Sequence, residues 1–314
     1  MSSSVRSPSF PPLAAVATLA AMVSACSSPS EPPPAEEGWS SSRISTLPRT
    51  PVCSDSVAPP PDVGSGARGM WAWGTKTRLD DADGTAVLVE SARKAGLNEL
   101  YLSVNDGVLE DPRLPRLMET LGHAGLRVEA LMGEATWYEP GQRSAMLAHI
   151  DEVAAFNEQH APGFAAVHLD VEPHQLPQNQ GDHAFLPLLA DALGEAAAHA
   201  RHFCMSTSAD LPRFALDEAG PSFAQAVPRV FVMLYQLRSK SSGWLTLASD
   251  SVLDQTYAGL GAQQRGRLVV SLRVEDYVDT LGTMVSTLDD AHGDSSRYGG
   301  WAIHDEAHFR ALMR

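Results

Sequence analysis

The feature that most constrains the fold is an alternation of short apolar runs with longer amphipathic segments, which begins near Arg68. Short apolar runs favour buried strands, whereas apolar residues at helical spacing favour helices on the outside of a sheet. Strands that alternate with helices build parallel sheets. The strand candidates are Gly69–Trp73, Glu99–Val104, Arg127–Met132, Ala165–Val171, Phe203–Ser206, Val230–Tyr235, Leu268–Leu272 and Gly300–Ile303.

The number of strand–helix units and the length of this region together predict one closed barrel. Residues 68–314 match the length of about 250 residues that is typical of a (β/α)8 TIM barrel. The segment between the fifth and sixth strands has the weakest helical pattern, because Pro212, Gly220 and Pro221 interrupt it. We therefore predict an α/β protein with a single (β/α)8 barrel over residues 68–314. The clearest helical patterns are Ala86–Ala95, Ser144–His160, Phe185–Arg201, Leu245–Gln263 and Asp276–Ala291.

Residues 1–25 have the pattern of a bacterial export signal. Arg6 supplies a positive charge, and Leu13–Val23 is an apolar stretch that is too short to span a bilayer comfortably. Residues 23–26 read Val-Ser-Ala-Cys, which resembles the lipobox that precedes a lipidated cysteine. We predict lipidation of Cys26 and a membrane anchor facing the periplasm or the exterior. The alternative is an ordinary secretory signal that is cleaved nearby, and both alternatives export the chain.

Residues 26–67 are rich in proline and serine and poor in large apolar side chains. This composition predicts a disordered, partly polyproline tether between the membrane anchor and the barrel. Besides Cys26, the chain has only Cys53, in the tether, and Cys204, in a predicted strand. We expect Cys204 to be a buried free thiol, with a Cys53–Cys204 disulfide as the alternative.

The net charge of −15 argues against nucleic acid or anionic lipid as a partner. An apolar content of 44% is that of a globular protein. The sequence has no phosphate-binding loop of the G-x-x-x-x-G-K type and no cysteine pair at zinc-binding spacing. We therefore predict no cofactor and no bound metal.

The fourth strand candidate ends in two carboxylates, in the segment AVHLDVEP of residues 166–173. In a strand, His168, Asp170 and Glu172 share one face, because side chains alternate between faces. Two acids at a strand end are typical of a glycoside hydrolase site, where one carboxyl donates a proton. We predict Glu172 as the general acid and Asp170 as a neighbouring charge that raises its pKa. The alternative is a strand end that leads into a polar loop.

Aromatic, carboxylate and amide side chains also follow the other strand candidates. Aromatic faces stack on sugar rings, and carboxylates and amides hydrogen-bond to sugar hydroxyls, so a saccharide is the predicted ligand. For each aromatic residue, burial between the barrel and its helices is the alternative. The predicted substrate-binding residues are Trp71, Trp73, Asn105, Glu134, Tyr235, Gln236, Trp301, His304 and Asp305.

Two of these segments resemble glycoside hydrolases of the chitinase type, family eighteen. Their fourth strand carries the motif D-G-x-D-x-D-x-E, which residues 165–172 match at Asp170 and Glu172, whereas Ala165 and His168 replace two acids. Residues 233–236, Met-Leu-Tyr-Gln, are close to the sixth-strand motif M-x-Y-D or M-x-Y-N. The resemblance implies that Glu172 protonates the leaving oxygen, that Asp170 orients a substrate acetamido group and that Tyr235 contacts this group.

A broader resemblance, over most of residues 68–314, is to uncharacterised exported bacterial barrels. These barrels share a Trp-x-Trp first strand, a His-Leu-Asp-Val-Glu-Pro fourth strand and an Ala-Ile-His-Asp eighth strand. The matching segments here are residues 71–73, 168–173 and 302–305. This resemblance implies the barrel fold and the site without naming a substrate.

Glu275 offers a second assignment of the catalytic pair. Many retaining barrel glycosidases place an acid/base glutamate after the fourth strand and a nucleophilic glutamate after the seventh, where Glu172 and Glu275 lie. Carboxyls about 5–5.5 Å apart would suit a retaining mechanism, and about 6.5–9.5 Å would suit inversion. Alternatively, Glu275 is a first-turn acid of the helix predicted to begin near Asp276.

Three functions from different classes follow from these residues. The first is an exported, membrane-tethered glycoside hydrolase, and the second is a carbohydrate-binding protein that has lost catalysis along with the acids at Ala165 and His168. The third is a metal-dependent hydrolase, which the absence of a His-x-His pair in the first strand disfavours. Its ligands would come from His168, Asp170, His174, His304 and Asp305.

Overall fold

A computed structural model describes residues 66–235, 240–260 and 267–312. Eight parallel strands close into a barrel in chain order, and the first strand pairs with the eighth. The predicted single (β/α)8 barrel is therefore confirmed. The strands are β1 (Ala67–Ala72), β2 (Glu99–Ser103), β3 (Arg127–Met132), β4 (Ala166–Leu169), β5 (Ser206–Pro212), β6 (Arg229–Met233), β7 (Arg267–Arg273) and β8 (Tyr298–His304).

Helices follow the strands and cover the outside of the barrel. Each strand is too apolar on its outer face to meet water, so the helices bury it with their own apolar stripes. The helices are α1 (Thr75–Asp80), α2 (Gly84–Ala95), α3 (Leu114–His123), α4 (Arg143–Gln159), α5 (Leu186–Arg201), α6 (Arg213–Ala226), α7 (Ser242–Thr256), α8 (Leu281–His292) and α9 (Glu306–Leu312).

The helix after β5 has an irregularity that its sequence predicts. Residue Ala219 has φ −136° and ψ 21°, which interrupts α6 just before Gly220 and Pro221. Proline has no N–H to donate to the preceding turn, so a regular helix does not continue through it. Gly220 lies against the backbone of α7, where a Cβ atom would come within 2.6 Å of the Thr256 Cα.

The interior of the barrel forms a layer of its own, separate from the core between strands and helices. In β4, Val167 and Leu169 belong to the outer core, whereas His168 points inward against Tyr101 and Phe231. The alternation predicted for this strand is therefore present. The inner apolar residues are Ala67, Trp71, Tyr101, Leu131, Phe231, Val269 and Ala302.

Charged residues occupy the barrel interior near the amino-terminal ends of β2, β3 and β6. Arg229 Nη2 donates to Glu99 Oε2 at 2.6 Å, and its Nη1 donates to Glu129 Oε1 at 3.3 Å. Arg127 also donates to Glu129. Burial by itself would raise the pKa of Glu129, but the charges of Arg229 and Arg127 hold that pKa well below its usual range.

The fifth strand lies later in the chain than predicted. The sequence predicts a strand over Phe203–Ser206, but residues 202–204 form a turn in which Cys204 has φ 60°, and β5 runs from Ser206 to Pro212. Cys204 is exposed and takes part in a disulfide, so the expectation of a buried free thiol is wrong. Its sulfur partner is outside the described residues.

The predicted signal peptide, the lipidation site Cys26 and the tether lie outside the described residues. Their boundaries and roles stay predictions. Within the described ranges, every helix is too short or too polar to cross a bilayer.

Candidate active site

A cavity of about 480 Å³ opens at the carboxyl-terminal ends of the strands. This is the end of a (β/α)8 barrel where the loops that follow the strands gather functional side chains. The lining combines three carboxylates with one arginine, two tryptophans and a tyrosine. The lining residues are Trp71, Trp73, Asp170, Glu172, His174, Gln175, Asp210, Pro212, Met233, Tyr235, Arg273 and His304.

Glu172 lies three residues after the end of β4, at the start of a 3₁₀ turn over Pro173–Gln175. Its Oε1 is 3.5 Å from His174 Nε2, and its Oε2 accepts a hydrogen bond from the Gln175 side chain. Burial and the negative charge of Asp210 raise the pKa of Glu172 to about 7, although the bond from Gln175 opposes this shift. A carboxyl with this pKa still carries a proton near neutral pH.

Asp170 comes directly after β4 and is held by its backbone. Its N–H donates to Met132 O at 2.9 Å, and a Cβ atom at Gly133 would lie 1.8 Å from its carbonyl oxygen. Only glycine at position 133 allows the two strand ends to approach this closely. Burial, with the charges of Asp210 and Glu172, raises the pKa of Asp170 well above its usual range.

The charge that raises the pKa of Glu172 therefore comes from Asp210, whereas the sequence predicted that it comes from Asp170. The reason is that Asp170 is itself buried beside two other acids, which favours its neutral form. A neutral carboxyl can donate a hydrogen bond to a ligand. The predicted role of Asp170 in catalysis stays a prediction.

Asp210 on β5 is the acid that the predicted site lacked. Its Oδ2 accepts hydrogen bonds from Trp71 Nε1 at 3.0 Å and from His168 Nε2 at 2.9 Å. Its Oδ1 has no hydrogen-bond partner in the described part of the chain, and the side chain is 3% exposed. The signal in the sequence was the spacing of Ser208 and Asp210, which share one face of β5.

His168 connects Asp210 to the charged layer inside the barrel. Its Nδ1 lies 3.2 Å from Glu129 Oε2 and 2.9 Å from Ser208 Oγ. Burial alone would lower the pKa of His168, but the charge and hydrogen bond of Asp210, together with those of Glu129, raise it to about 9. His168 is thus positively charged at neutral pH and fully buried.

Four of the predicted binding residues line this cavity: Trp71, Trp73, Tyr235 and His304. Trp73 Nε1 donates to His304 Nε2 at 3.0 Å, and burial lowers the pKa of His304, so this ring is neutral and accepts the bond. Trp73 is 37% exposed and presents its ring at the rim of the cavity. Burial raises the pKa of Tyr235 well above its usual range, so its hydroxyl keeps its proton.

The other predicted binding residues are not in the cavity lining. Trp301 is buried among the residues of the outer core, and its Nε1 donates to Asp289 Oδ2 on α8 at 3.2 Å. Its neighbour Ala302 takes the inward position on β8, so Trp301 faces the helices and the expectation of a ligand contact is wrong. Asn105 and Glu134 are exposed and lie outside the lining.

The residues at the start of α9 also lie outside the lining. Asp305 Oδ1 accepts from the His308 N–H at 3.1 Å, so Asp305 caps this helix, as short polar side chains commonly do. Gln236 lies outside the described residues.

Glu275 is likewise outside the cavity lining. Its Oε1 lies 3.2 Å from His308 Nε2, and its side chain is 41% exposed. Arg273, two residues earlier, lines the cavity and donates from Nη2 to Asp276 Oδ1 at 3.0 Å. The catalytic role of Glu275 stays a prediction, and the geometry gives it no support.

The residues proposed for a metal-dependent hydrolase do not form a metal site. In the described ranges no group of three or more histidine, cysteine, aspartate or glutamate side chains is arranged to hold a metal ion. Both ring nitrogens of His168 already have protein partners in Asp210, Glu129 and Ser208.

Comparison with known proteins supports the fold. No protein-family model and no curated protein matches the sequence. A GH18 chitinase from Pseudoalteromonas aurantia matches with a TM-score of 0.52 at 10% identity, over 79% of this chain and 99% of that one. A chitinase from Chromobacterium violaceum matches with a TM-score of 0.51 at 13% identity, over 79% and 98% of the two chains.

The PgaB (BpsB) glycoside hydrolase domain from Bordetella bronchiseptica matches with a TM-score of 0.51 at 12% identity, over 78% of this chain and 95% of that one. At these identities the likeness concerns the fold alone. The chain is a (β/α)8 barrel, and the solved barrels of similar fold include GH18 chitinases.

Proposed function

We propose that this chain is an exported, membrane-tethered glycoside hydrolase that acts on a saccharide, with Glu172 as its general acid. The observation that carries this proposal is the position of Glu172 on the cavity with a pKa raised to about 7. Enzymes tune a catalytic carboxyl in this way so that it is protonated before the reaction and ionised after it.

The cavity combines aromatic and hydrogen-bonding side chains, which is a suitable lining for a sugar. Trp73 and Tyr235 line the cavity with aromatic rings above the buried Trp71, and Arg273 adds a hydrogen-bond donor. The structures that the barrel resembles include chitinases and a glycoside hydrolase domain, which supports a saccharide as the ligand. A binding site that combines apolar walls with a few polar groups is the usual form of a small-molecule site.

In the proposed reaction, the proton of Glu172 passes to the glycosidic oxygen as the bond from this oxygen to the anomeric carbon breaks. The electron pair of that bond stays on the departing oxygen, and positive charge develops on the sugar ring. Water later adds to the anomeric carbon and gives up a proton to the ionised Glu172. Asp170, neutral and directly beside the cavity, would donate a hydrogen bond to the substrate.

Export and lipidation complete the proposal. The lipobox-like residues before Cys26 motivate the anchor, and the disulfide at Cys204 is consistent with an oxidising compartment outside the cytoplasm. Mass spectrometry of the N-terminal peptide from a bacterial membrane fraction tests this part. A diacylglyceryl group on Cys26 supports it, and an unmodified mature N-terminus elsewhere contradicts it.

The test of catalysis is hydrolysis of a panel of polysaccharides and aryl glycosides by the mature chain. Glu172→Gln keeps the shape and removes the transferable proton, so we expect loss of turnover without loss of folding. Glu119→Gln, an exposed position on α3, is the matched control and should keep wild-type activity. Unchanged turnover in Glu172→Gln would remove this residue from the mechanism.

A carbohydrate-binding protein without catalysis is the alternative. It is favoured by one observation, the replacement of two acids of the chitinase-type motif by Ala165 and His168. Binding of a glycan by both the wild type and Glu172→Gln, with no product from either, would support this alternative.

A further inference from the structure

The acids missing from the fourth strand have a counterpart on the fifth. We propose that Asp210 is the second catalytic carboxylate of this site, held in place by the imidazolium of His168, an inference that rests on the proposed glycoside hydrolase function. As the sugar ring gains positive charge, the carboxylate of Asp210 would stabilise it while Glu172 supplies the proton.

The hydrogen bonds around His168 require that both of its ring nitrogens donate. Nε2 faces the Asp210 carboxylate at 2.9 Å, and a carboxylate can only accept. On the other side, the Ser208 hydroxyl donates its single proton to Glu129 Oε2 at 2.7 Å, so Ser208 Oγ can only accept from His168 Nδ1. With Asp210 and Glu129 as carboxylates the ring is therefore an imidazolium, in agreement with its raised pKa.

The two oxygens of Asp210 have different surroundings. Oδ2 accepts from two donors on two other strands, Trp71 on β1 and His168 on β4. These donors fix the orientation of the carboxylate. Oδ1 is buried, has no hydrogen-bond partner among the described residues, and belongs to a side chain that lines the cavity. We assign this oxygen to the substrate because no protein donor occupies it in the described part of the chain.

Neither of the other candidate acids can supply this charge. Burial and two neighbouring acids favour the neutral form of Asp170, and Glu275 lies outside the cavity lining beside His308. Asp210, in contrast, has a fixed counter-ion, because contacts with Glu129 and Ser208 hold His168 in position inside the barrel. The titratable groups that interact with Asp210 are His168, Asp170, Glu172, Tyr235 and His304.

The first test compares Asp210→Asn with a matched control. Asp289 on α8 also accepts a tryptophan N–H, from Trp301 at 3.2 Å, but it lies on the outer side of the barrel. We expect Asp210→Asn to lower kcat by about 10²–10³-fold with a much smaller change in KM, because only the transition state carries the charge. Asp289→Asn should keep wild-type kcat.

The role of His168 as a positioning residue is tested by the split between kcat and KM. In His168→Gln a donor to Asp210 is kept in part, but the positive charge beside the carboxylate is lost. We expect kcat to fall with little change in KM, whereas a purely structural change of the cavity would raise KM as well.

The outcomes separate this inference from the function on which it rests. Loss of turnover in Glu172→Gln but wild-type kcat in Asp210→Asn would overturn the role of Asp210 and leave the hydrolase proposal standing. No turnover of any saccharide by the wild type would overturn both. If a variant fails to fold, ¹⁵N NMR of the wild-type imidazoles decides, since a neutral His168 at pH 7 contradicts the proposal and a doubly protonated ring supports it.

Discussion

The buried charge cluster at the amino-terminal ends of β2, β3 and β6 makes a prediction about stability that depends on pH. Arg229→Met removes the cation that Glu99 and Glu129 share and replaces it with an apolar side chain of similar length. Both glutamates are at most 1% exposed, so water cannot stabilise the negative charge of either one. Arg127 contacts both glutamates and remains, and the His168 imidazolium contacts Glu129.

The magnitude follows from the protonation that the variant would need. The charge of His168 is already balanced by Asp210, so Arg127 alone is left for the two buried glutamates, and one of them must take up a proton in the folded variant. Against a pKa of about 4.3 in the unfolded chain, and at about 1.36 kcal/mol per pH unit, this costs about 3.7 kcal/mol at pH 7. At pH 5 the same protonation costs only about 1 kcal/mol.

The sign agrees with the wild-type ionisation. The pKa of Glu129 lies well below its usual range, so its stabilisation is fully present above the unfolded-state pKa and is lost as the pH falls. The difference between wild type and Arg229→Met should therefore be largest at neutral pH and shrink toward pH 5.

Urea unfolding followed by tryptophan fluorescence at pH 7 and at pH 5 measures both differences. Arg116→Met, at an exposed position on α3, is the matched control and should change stability little at either pH. If Arg229→Met lowers the free energy of unfolding equally at the two pH values, the effect comes from packing. If it does not lower the free energy of unfolding at all, the reasoning about the ion cluster is refuted.

The remaining predictions concern the site. In the wild type, kcat/KM should fall as the pH rises through about 7, because Glu172 loses its proton. Gln175→Leu should move this basic limb to higher pH, because the variant lacks the hydrogen bond that favours ionised Glu172. A pH–rate profile of each protein tests these predictions, and a basic limb that does not move in Gln175→Leu contradicts the second one. Trp73→Ala should raise KM by about 2- to 12-fold, the equivalent of about 0.5–1.5 kcal/mol of aromatic stacking, with kcat unchanged. Glu275→Gln should keep most of the activity, and a loss as deep as that of Glu172→Gln would restore the strand-seven assignment.

The part of the site on β4 could be predicted from sequence because the two faces of that strand have different neighbours. Val167 and Leu169 meet the helices, whereas His168 faces the barrel interior and Asp170 the cavity, so polarity alternates along the chain. The first strand is similar, since Trp71 lies inside the barrel and Trp73 follows at the rim.

The part of the site on β5 is harder to predict because its functional side chains replace the apolar residues that usually mark a buried strand. The inward residues Ser208 and Asp210 are polar since they hold His168, so the segment lacks a continuous apolar run, and the apolar residues before it form a turn instead. The prediction that Trp301 contacts the ligand fails because sequence alternation does not say which face of a strand points inward. Alternation indicates that Trp301 and Ala302 face opposite ways, but only the packed barrel determines which of the two faces inward.

Glu129 joins the ion cluster to the candidate site, which yields a prediction that separates the two. It accepts from Arg229 at 3.3 Å on one side and meets His168 Nδ1 at 3.2 Å on the other. Glu129→Gln removes an anion that contacts both Arg229 and His168, so we expect lower stability and also a lower pKa of His168, because Glu129 helps to raise it. Arg229→Met, which does not contact His168, should lower stability without lowering the pKa of His168. Urea unfolding and a ¹⁵N NMR titration of His168 in both variants test the link, since an unchanged pKa in Glu129→Gln would show that His168 keeps its charge through Asp210 alone.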